Sequence, residues 1–221
     1  MNNRAELDKN VMNIWDKFVL DAGVSAEQKG QFEQYVALLR EWNERINLTA
    51  ITTEAEIIQY HFQDSIAVLK GLPFKTGGTV CDIGSGAGFP GLPIKIMRPD
   101  LFVILLEVNQ KKVSFLNMVI EALGLTGIEV CTFDWRTFLR QAEYEQIDYF
   151  FARASLQPEE LIRLFKDGCA YKEAMLVYWA SKQWKPEAPV SSYIDHVVPY
   201  TVGVKERQLI ILKNVQVGVT K

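Results

Sequence analysis

The sequence predicts an α/β fold: a seven-stranded, mostly parallel sheet with helices on both faces, closed at one edge by an antiparallel hairpin and preceded by a helical cap. Three observations carry this. From Thr79 onward, short apolar runs alternate with helical patterns, the order that a parallel sheet covered on both faces requires. The last two runs have only Gly203-Val204-Lys205-Glu206 between them, too short for a crossover, so they should pair antiparallel. Before the breaker clusters Gly71-Leu72-Pro73 and Thr76-Gly77-Gly78, apolar residues recur only at helical spacing. The expected division is therefore a cap over residues 1–72 and a sheet domain over 73–221.

In the cap, Gln31, Phe32, Tyr35, Leu38, Leu39, Trp42 and Ile46 repeat every three or four residues along one amphipathic helix and read as core contacts. Asn47 reads as the stop of that helix, and Asp64-Ser65 as a cap or turn. His61 reads more readily as a satisfied structural imidazole than as a base. Strands are expected at 79–84, 102–107, 128–133, 147–152, 174–181, 194–202 and 207–214. Helices are expected at about 90–97, 111–123, 135–143 and 158–168. Ligands of such folds lie beyond the carboxyl ends of the strands, where strand order reverses. Gly84, Glu107, Asp134, Trp135 and Arg153 all fall just after strands and can converge there.

The most informative stretch runs from Val80 to Gly91, where a buried strand carrying Asp82 passes into Gly84-Ser85-Gly86-Ala87-Gly88-Phe89-Pro90-Gly91 and then a helix. Glycines at alternate positions let the backbone turn sharply and approach a ligand closely. The segment from Gly86 satisfies the dinucleotide pattern G-x-G-x-x-G, but Phe89, Pro90 and Pro93 make a bulky, donor-poor helix start, ill suited to pyrophosphate. Asp82 adds negative charge, which suits a cationic ligand such as S-adenosylmethionine. Glu107, at the end of the next strand, can take both hydroxyls of a ribose in either cofactor class.

Composition narrows the rest. With 48% hydrophobic residues in 221, the chain has the makeup of a globular enzyme, and a formal net charge of −3 gives no general attraction to nucleic acid. Three cysteines without a CxxC read as buried reduced thiols in a reducing, cytoplasmic compartment, and two histidines make a His-based metal site unexpected. Neither a signal peptide nor an apolar run near the ~20 residues of a membrane span is expected.

Asn47-Leu48-Thr49, His61-x-x-Asp64-Ser65, Asp82 through Gly91, Lys111-Lys112 with Phe115-Leu116, Arg153-Ala154, Lys182 and Glu206-Arg207, taken together, resemble the bacterial 16S ribosomal RNA guanine-N7 methyltransferase family, the glucose-inhibited division protein B type. The likeness runs from about residue 31 to 214. It implies a class I, Rossmann-like S-adenosylmethionine-dependent methyltransferase that acts as a monomer on 16S RNA within a 30S subunit or its precursor. By the same transfer, donor contacts fall on Gly84, Phe89, the backbone at Trp135-Arg136, and Arg153, within an expected donor set of Asp82, Gly84, Ser85, Gly86, Gly88, Phe89, Glu107, Asp134, Trp135, Arg136 and Arg153. Asp134 would accept from the adenine amine while Trp135 stacks on the ring. Asp64 and Arg153 are the expected catalytic pair, and Asn47, His61, Lys182 and Arg207 the expected RNA contacts. Two departures stand out. The family usually has Arg-x-Glu where this chain has Asp134-Trp135-Arg136, and Lys-Gly where it has Lys182-Gln183. The alternatives carried forward are a relative with another RNA target, a nicotinamide oxidoreductase and a non-catalytic adenosine-binding module.

Overall fold

A computed structural model describes residues 14–214. Seven strands, β1 (Thr79–Ile83), β2 (Phe102–Leu106), β3 (Ile128–Cys131), β4 (Tyr149–Arg153), β5 (Met175–Ser181), β6 (Ile194–Val202) and β7 (Lys205–Leu212), form one sheet in the order β3-β2-β1-β4-β5-β7-β6. The first five are parallel, and β7 runs antiparallel to both β5 and β6. Strand order reverses at β1, whose neighbours are β2 and β4, so the crevice of such a sheet lies at the carboxyl ends of these strands.

Both faces of the sheet are buried, which is why its central strands read as unbroken apolar runs. Side chains alternate between two cores: Val103 and Leu105 enter one, Ile104 and Leu106 the other. The first core also takes Phe32, Tyr35, Leu39 and Phe62, so the cap helices and one face of the sheet share a single apolar cluster. The helix Ala26–Ile46 starts at a capping box between Ser25 and Gln28, buries Phe32, Tyr35, Val36 and Leu39, and stops at Asn47 in the left-handed region with φ 47°. A nearly continuous helical run follows over residues 54–71, its middle turn, Ile58–Gln63, widened to a π-helix that carries His61. On this face the helices Gly91–Met97 and Gln110–Ala122 complete the layer, while Trp135–Gln141 and Pro158–Leu161 cover the other.

Most boundaries shift by one or two residues from the sequence reading, and two changes have a clear local cause. β7 begins at Lys205 rather than 207, and the hairpin closes through Gly203 and Val204 alone, with Val202 opposite Lys205. Lys205, Glu206 and Arg207 carry no apolar alternation, so their strand character comes from pairing with β6 and β5. The helix expected over 158–168 is α-helical only to Leu161 and continues as a 3-10 turn, Ile162–Phe165. Pro199 lies in β6, an edge strand, where a missing N–H is tolerated. The sequence expectations for residues 1–13 lie outside the described residues. Among the described residues, no helix is long and apolar enough to cross a membrane and no cluster of three or more His, Cys, Asp or Glu residues is placed to hold a metal.

Candidate active site

The turn after β1 is set by what surrounds it. Gly84 (φ +66°) is pressed against β4's following loop, where an added Cβ would come within 2.7 Å of the Ser155 Cβ. Gly88 (φ +95°) faces inward, 2.3 Å from Leu92 Cδ1 for such a Cβ, so it is a packing glycine and not a ligand contact. Ser85 is buried and its hydroxyl donates to the carbonyl of Asp82 at 2.9 Å. The Tyr35 hydroxyl donates to the carbonyl of Ala87, fastening the turn to the cap. Glu107 reaches across from the end of β2: one carboxylate oxygen accepts from the Gly86 N–H at 2.9 Å and the other from the Asn109 N–H at 2.9 Å. Each oxygen keeps a second lone pair for a ligand.

Beside this turn lies a crevice of about 310 Å³, lined by Gly84, Glu107, Val108, Phe133, Trp135 and Ala154 among others. Val108 (56% exposed) and Phe133 (38% exposed) stand out as large apolar groups left open at strand ends, and both escaped the sequence reading. Val108 follows the strand expected over 102–107, and Phe133 is the last residue of the strand expected over 128–133, which in the structure ends at Cys131. Ala154, with φ 53°, sits in the left-handed region at the crevice wall. Lys112 also lines the crevice.

Several expected donor residues do other work. Asp82 is fully buried behind the turn; one oxygen accepts from the Gly91 N–H at 2.9 Å and the other has no partner. Burial raises its carboxyl to about 7, against the pull of the Gly91 hydrogen bond. It therefore shapes the loop from within. Phe89 is buried between two rings, stacked on His61 at 4.2 Å and on Tyr35 at 5.4 Å, and lies outside the crevice lining. Trp135 borders the crevice, but it is 5% exposed, its indole N–H donates to the Glu160 carbonyl at 3.1 Å, and its ring is packed against Phe150, so the exposed ring is that of Phe133. Asp134 lines the crevice yet caps the helix Trp135–Gln141, accepting from the Arg136 and Thr137 N–H groups at 2.9 and 3.0 Å and from the Thr137 hydroxyl at 2.7 Å. These bonds hold its carboxyl below the usual range. Arg136 points away into a two-pronged pair with Glu160 at 2.7 and 3.1 Å, and its backbone N–H is spent on the cap.

The expected catalytic and RNA residues gather instead where the cap meets the sheet. Arg153, at the end of β4, meets Asp64 at 3.2 Å through Nε, the Ser65 hydroxyl at 2.9 Å and the His61 carbonyl at 3.3 Å through Nη1, and the Tyr60 carbonyl and His61 Nδ1, both at 2.9 Å, through Nη2. The four Nη donors are thus hydrogen-bonded within the protein, and Nε is paired with Asp64. Asp64 is shared: its other oxygen lies 2.9 Å from Arg207 Nε and accepts from the Tyr200 hydroxyl at 2.7 Å. Because arginine can only donate, His61 Nδ1 accepts, and Nε2 carries the proton and donates to the Thr49 hydroxyl at 2.8 Å. Burial first, then the charges of Arg153 and Lys205, lower His61 to about 3. The structural reading of His61 is the one its contacts support. Arg153 itself is lowered by burial, against the pull of Asp64. Lys182 is paired with Glu206 at 2.6 Å, and Asn47 is an exposed helix stop.

With this geometry in hand, residues 28–202 match the family model for rRNA small subunit methyltransferase G. The chain belongs to that family. Relatives of the same description include one from Clostridium beijerinckii, 50% identical over 118 residues (52% of this chain, 49% of the relative), and one from Lachnoclostridium phytofermentans, 42% identical over 146 residues (66% and 60%). The matches therefore span about half to three-fifths of the relatives' length. Among solved structures, MtNAS in complex with MTA and tNA aligns with a TM-score of 0.56 at 19% identity (82% of this chain, 73% of that one), and TrmN from Thermus thermophilus with 0.51 at 17% (71% and 53%). At these identities the likeness concerns the fold. Within this chain, the departure at Asp134-Trp135-Arg136 is absorbed locally: Asp134 caps the helix and Arg136 finds Glu160. The departure at Gln183 leaves Lys182 paired with Glu206.

Proposed function

We propose that this chain transfers a methyl group from S-adenosylmethionine to N7 of a guanine in 16S ribosomal RNA, with the donor in the crevice beside Gly84 and Glu107. The observation that carries the reading is Glu107. It is buried to 7% exposure at the end of β2, lines the crevice, and retains acceptor capacity after anchoring the glycine turn. Val108 and Phe133 offer apolar surfaces for a planar base beside it. The residues present therefore fit an adenosine-bearing donor, and the family membership supports a methyl donor over a dinucleotide. When bound, S-adenosylmethionine supplies an electrophilic methyl group on a sulfonium.

The chain's own part in the transfer is to hold and exclude. Guanine N7 is a neutral lone pair, so no base has to deprotonate it, which agrees with a His61 that is neutral and hydrogen-bonded on both ring nitrogens. Holding N7 in line with the leaving sulfur supplies most of the acceleration. Asp64 and Arg153 serve this by locking the cap to the carboxyl end of β4 and with it the Ala154 wall of the crevice, rather than by touching the base. We place the RNA at the mouth between cap and sheet, near Asn47, His61, Asp64 and Arg153. Phosphates reaching Lys182 or Arg207 would have to displace Glu206 or Asp64. The substrate is read as RNA in a 30S subunit or its precursor, acted on by a monomer in the cytoplasm.

Glu107→Ala tests the donor site. Loss of charge-assisted hydrogen bonds to the ribose, about 1.5–3 kcal/mol each, should weaken S-adenosylmethionine at least tenfold by titration calorimetry, in a variant whose unfolding curve shows it folded. Unchanged affinity, or tight binding of NAD in place of the methyl donor, would remove the assignment.

A further inference from the structure

The turn joining β6 and β7 carries an exposed composite surface that the donor site does not use. Val204 is 89% exposed, the most open of the large apolar residues among those described. Next to it, Lys205 sets its ammonium 4.2 Å from the centre of the Tyr60 ring, where Lys182 and Arg207 set theirs on carboxylates. The turn is seated firmly: Gly203 (φ +58°) lies so close to the cap that an added Cβ would come within 2.7 Å of the Gln59 side chain. Its direction follows from register. Ser181, the last residue of β5, pairs with Arg207 near the start of β7, so the turn stands at the carboxyl end of the parallel strands, the end at which the donor crevice opens. It also stands next to the cap, since Lys205 is near enough to His61 to help lower its imidazole.

We propose that Val204, Lys205 and Tyr60 form a docking point for a single-stranded RNA nucleotide next to the target guanine, with Lys205 taking its phosphate and Val204 and Tyr60 its base. This rests on the methyltransferase reading above and extends it to the substrate side. RNA recognition relies on unstacked bases laid against aromatic and apolar side chains and on cations at the backbone, and a cation already perched on an aromatic ring offers both at one spot. A chain of net charge −3 has no general attraction for phosphates, so contacts at the mouth have to help locate the strand. Lys205 meets that need at less cost than Lys182 or Arg207, because its ammonium sits over the Tyr60 ring and not, among the described residues, on a carboxylate.

The test uses the full chain and the variants Lys205→Gln and Val204→Ser, with deproteinised 16S RNA and with 30S particles. Donor affinity by calorimetry should equal wild type in both variants. RNA affinity across a salt series should fall several-fold for each. The slope of log affinity against log salt should drop by about 0.7–0.9 for Lys205→Gln, as one lost phosphate contact requires, and stay unchanged for Val204→Ser. On whichever substrate wild type methylates, KM for RNA should rise with kcat retained. Wild-type RNA affinity and slope in both variants would overturn the proposal, and so would an effect seen with 30S particles but not with free RNA that the wild type binds, which would assign the surface to a ribosomal protein. Should wild type bind RNA and donor yet transfer no methyl group, the functional reading fails while the docking point is still decided by the salt series.

Discussion

His61 and Asp82 lie on the cap side of the sheet, and burial moves them in opposite directions. His61 falls from 6.5 to about 3, so the unfolded chain binds its proton more readily; the resulting stability is full above the ordinary value and is lost as pH falls toward 3. Asp82 rises from 3.8 to about 7, so the folded chain holds its proton more tightly; that stability is full below 3.8 and is lost as pH climbs through 7. Between about pH 4 and 6.5 the two slopes oppose each other, each limited to about 1.4 kcal/mol per pH unit. Relative to wild type, Asp82→Asn should therefore gain stability as pH rises through this window, and His61→Gln should lose it. Urea unfolding at several pH values reads both, and variants that run parallel to wild type would contradict the buried environments described for these groups. The structural reading of His61 agrees with its contacts, whereas the ligand reading of Asp82 does not. The sequence offered His61 as a structural imidazole and Asp82 as a partner for a cationic ligand, but which side of β1 each faces is settled only by the packing of Phe89, Tyr35 and Gly91.

The turn between β1 and the helix Gly91–Met97 shows what an element needs beyond its motif. All three alternate glycines have positive φ, yet they meet different surroundings. An alanine Cβ at Gly86 would meet only the Gly84 carbonyl at 3.9 Å, whereas at Gly88 it would overlap Leu92 at 2.3 Å and the Tyr35 hydroxyl at 2.8 Å. Gly86→Ala should cost about 1–2 kcal/mol, the backbone strain alone. Gly88→Ala should cost about 2–5 kcal/mol, since overpacking adds to that strain. Equal urea midpoints for the two would show that the turn is not packed as described. At this scale the sequence was most readable where burial is two-sided, as in β1, β2, β4 and β5, whose apolar runs admit no other element. It was least readable at β7, whose opening residues Lys205, Glu206 and Arg207 are polar and extended because β6 pairs with all three and β5 with Arg207.

Across the whole molecule, cap and sheet share one apolar core, and the ion group of Arg153, Asp64 and Arg207 ties the π-turn of the cap to β4 and β7. Breaking such a buried group by removing one partner typically costs 3–5 kcal/mol, so these residues are placed to keep the mouth of the crevice in shape. That constellation joins three segments distant in sequence, which is why each residue could be picked out singly while their mutual pairing could not. Glu107 and the glycine turn were legible as a site because strand-end position alone fixes them. Phe133 and Val108 were not, because a single apolar residue at or just past a strand end has no periodicity to betray it. The central claim, methyl transfer to guanine N7, is tested most directly by incubating the chain with methyl-labelled S-adenosylmethionine and 16S RNA, free and in 30S particles, and mapping the label to base and atom. The expected result is label on N7 of a guanine in 16S RNA; label on another base or atom, or none in either substrate while the donor still binds, would contradict it.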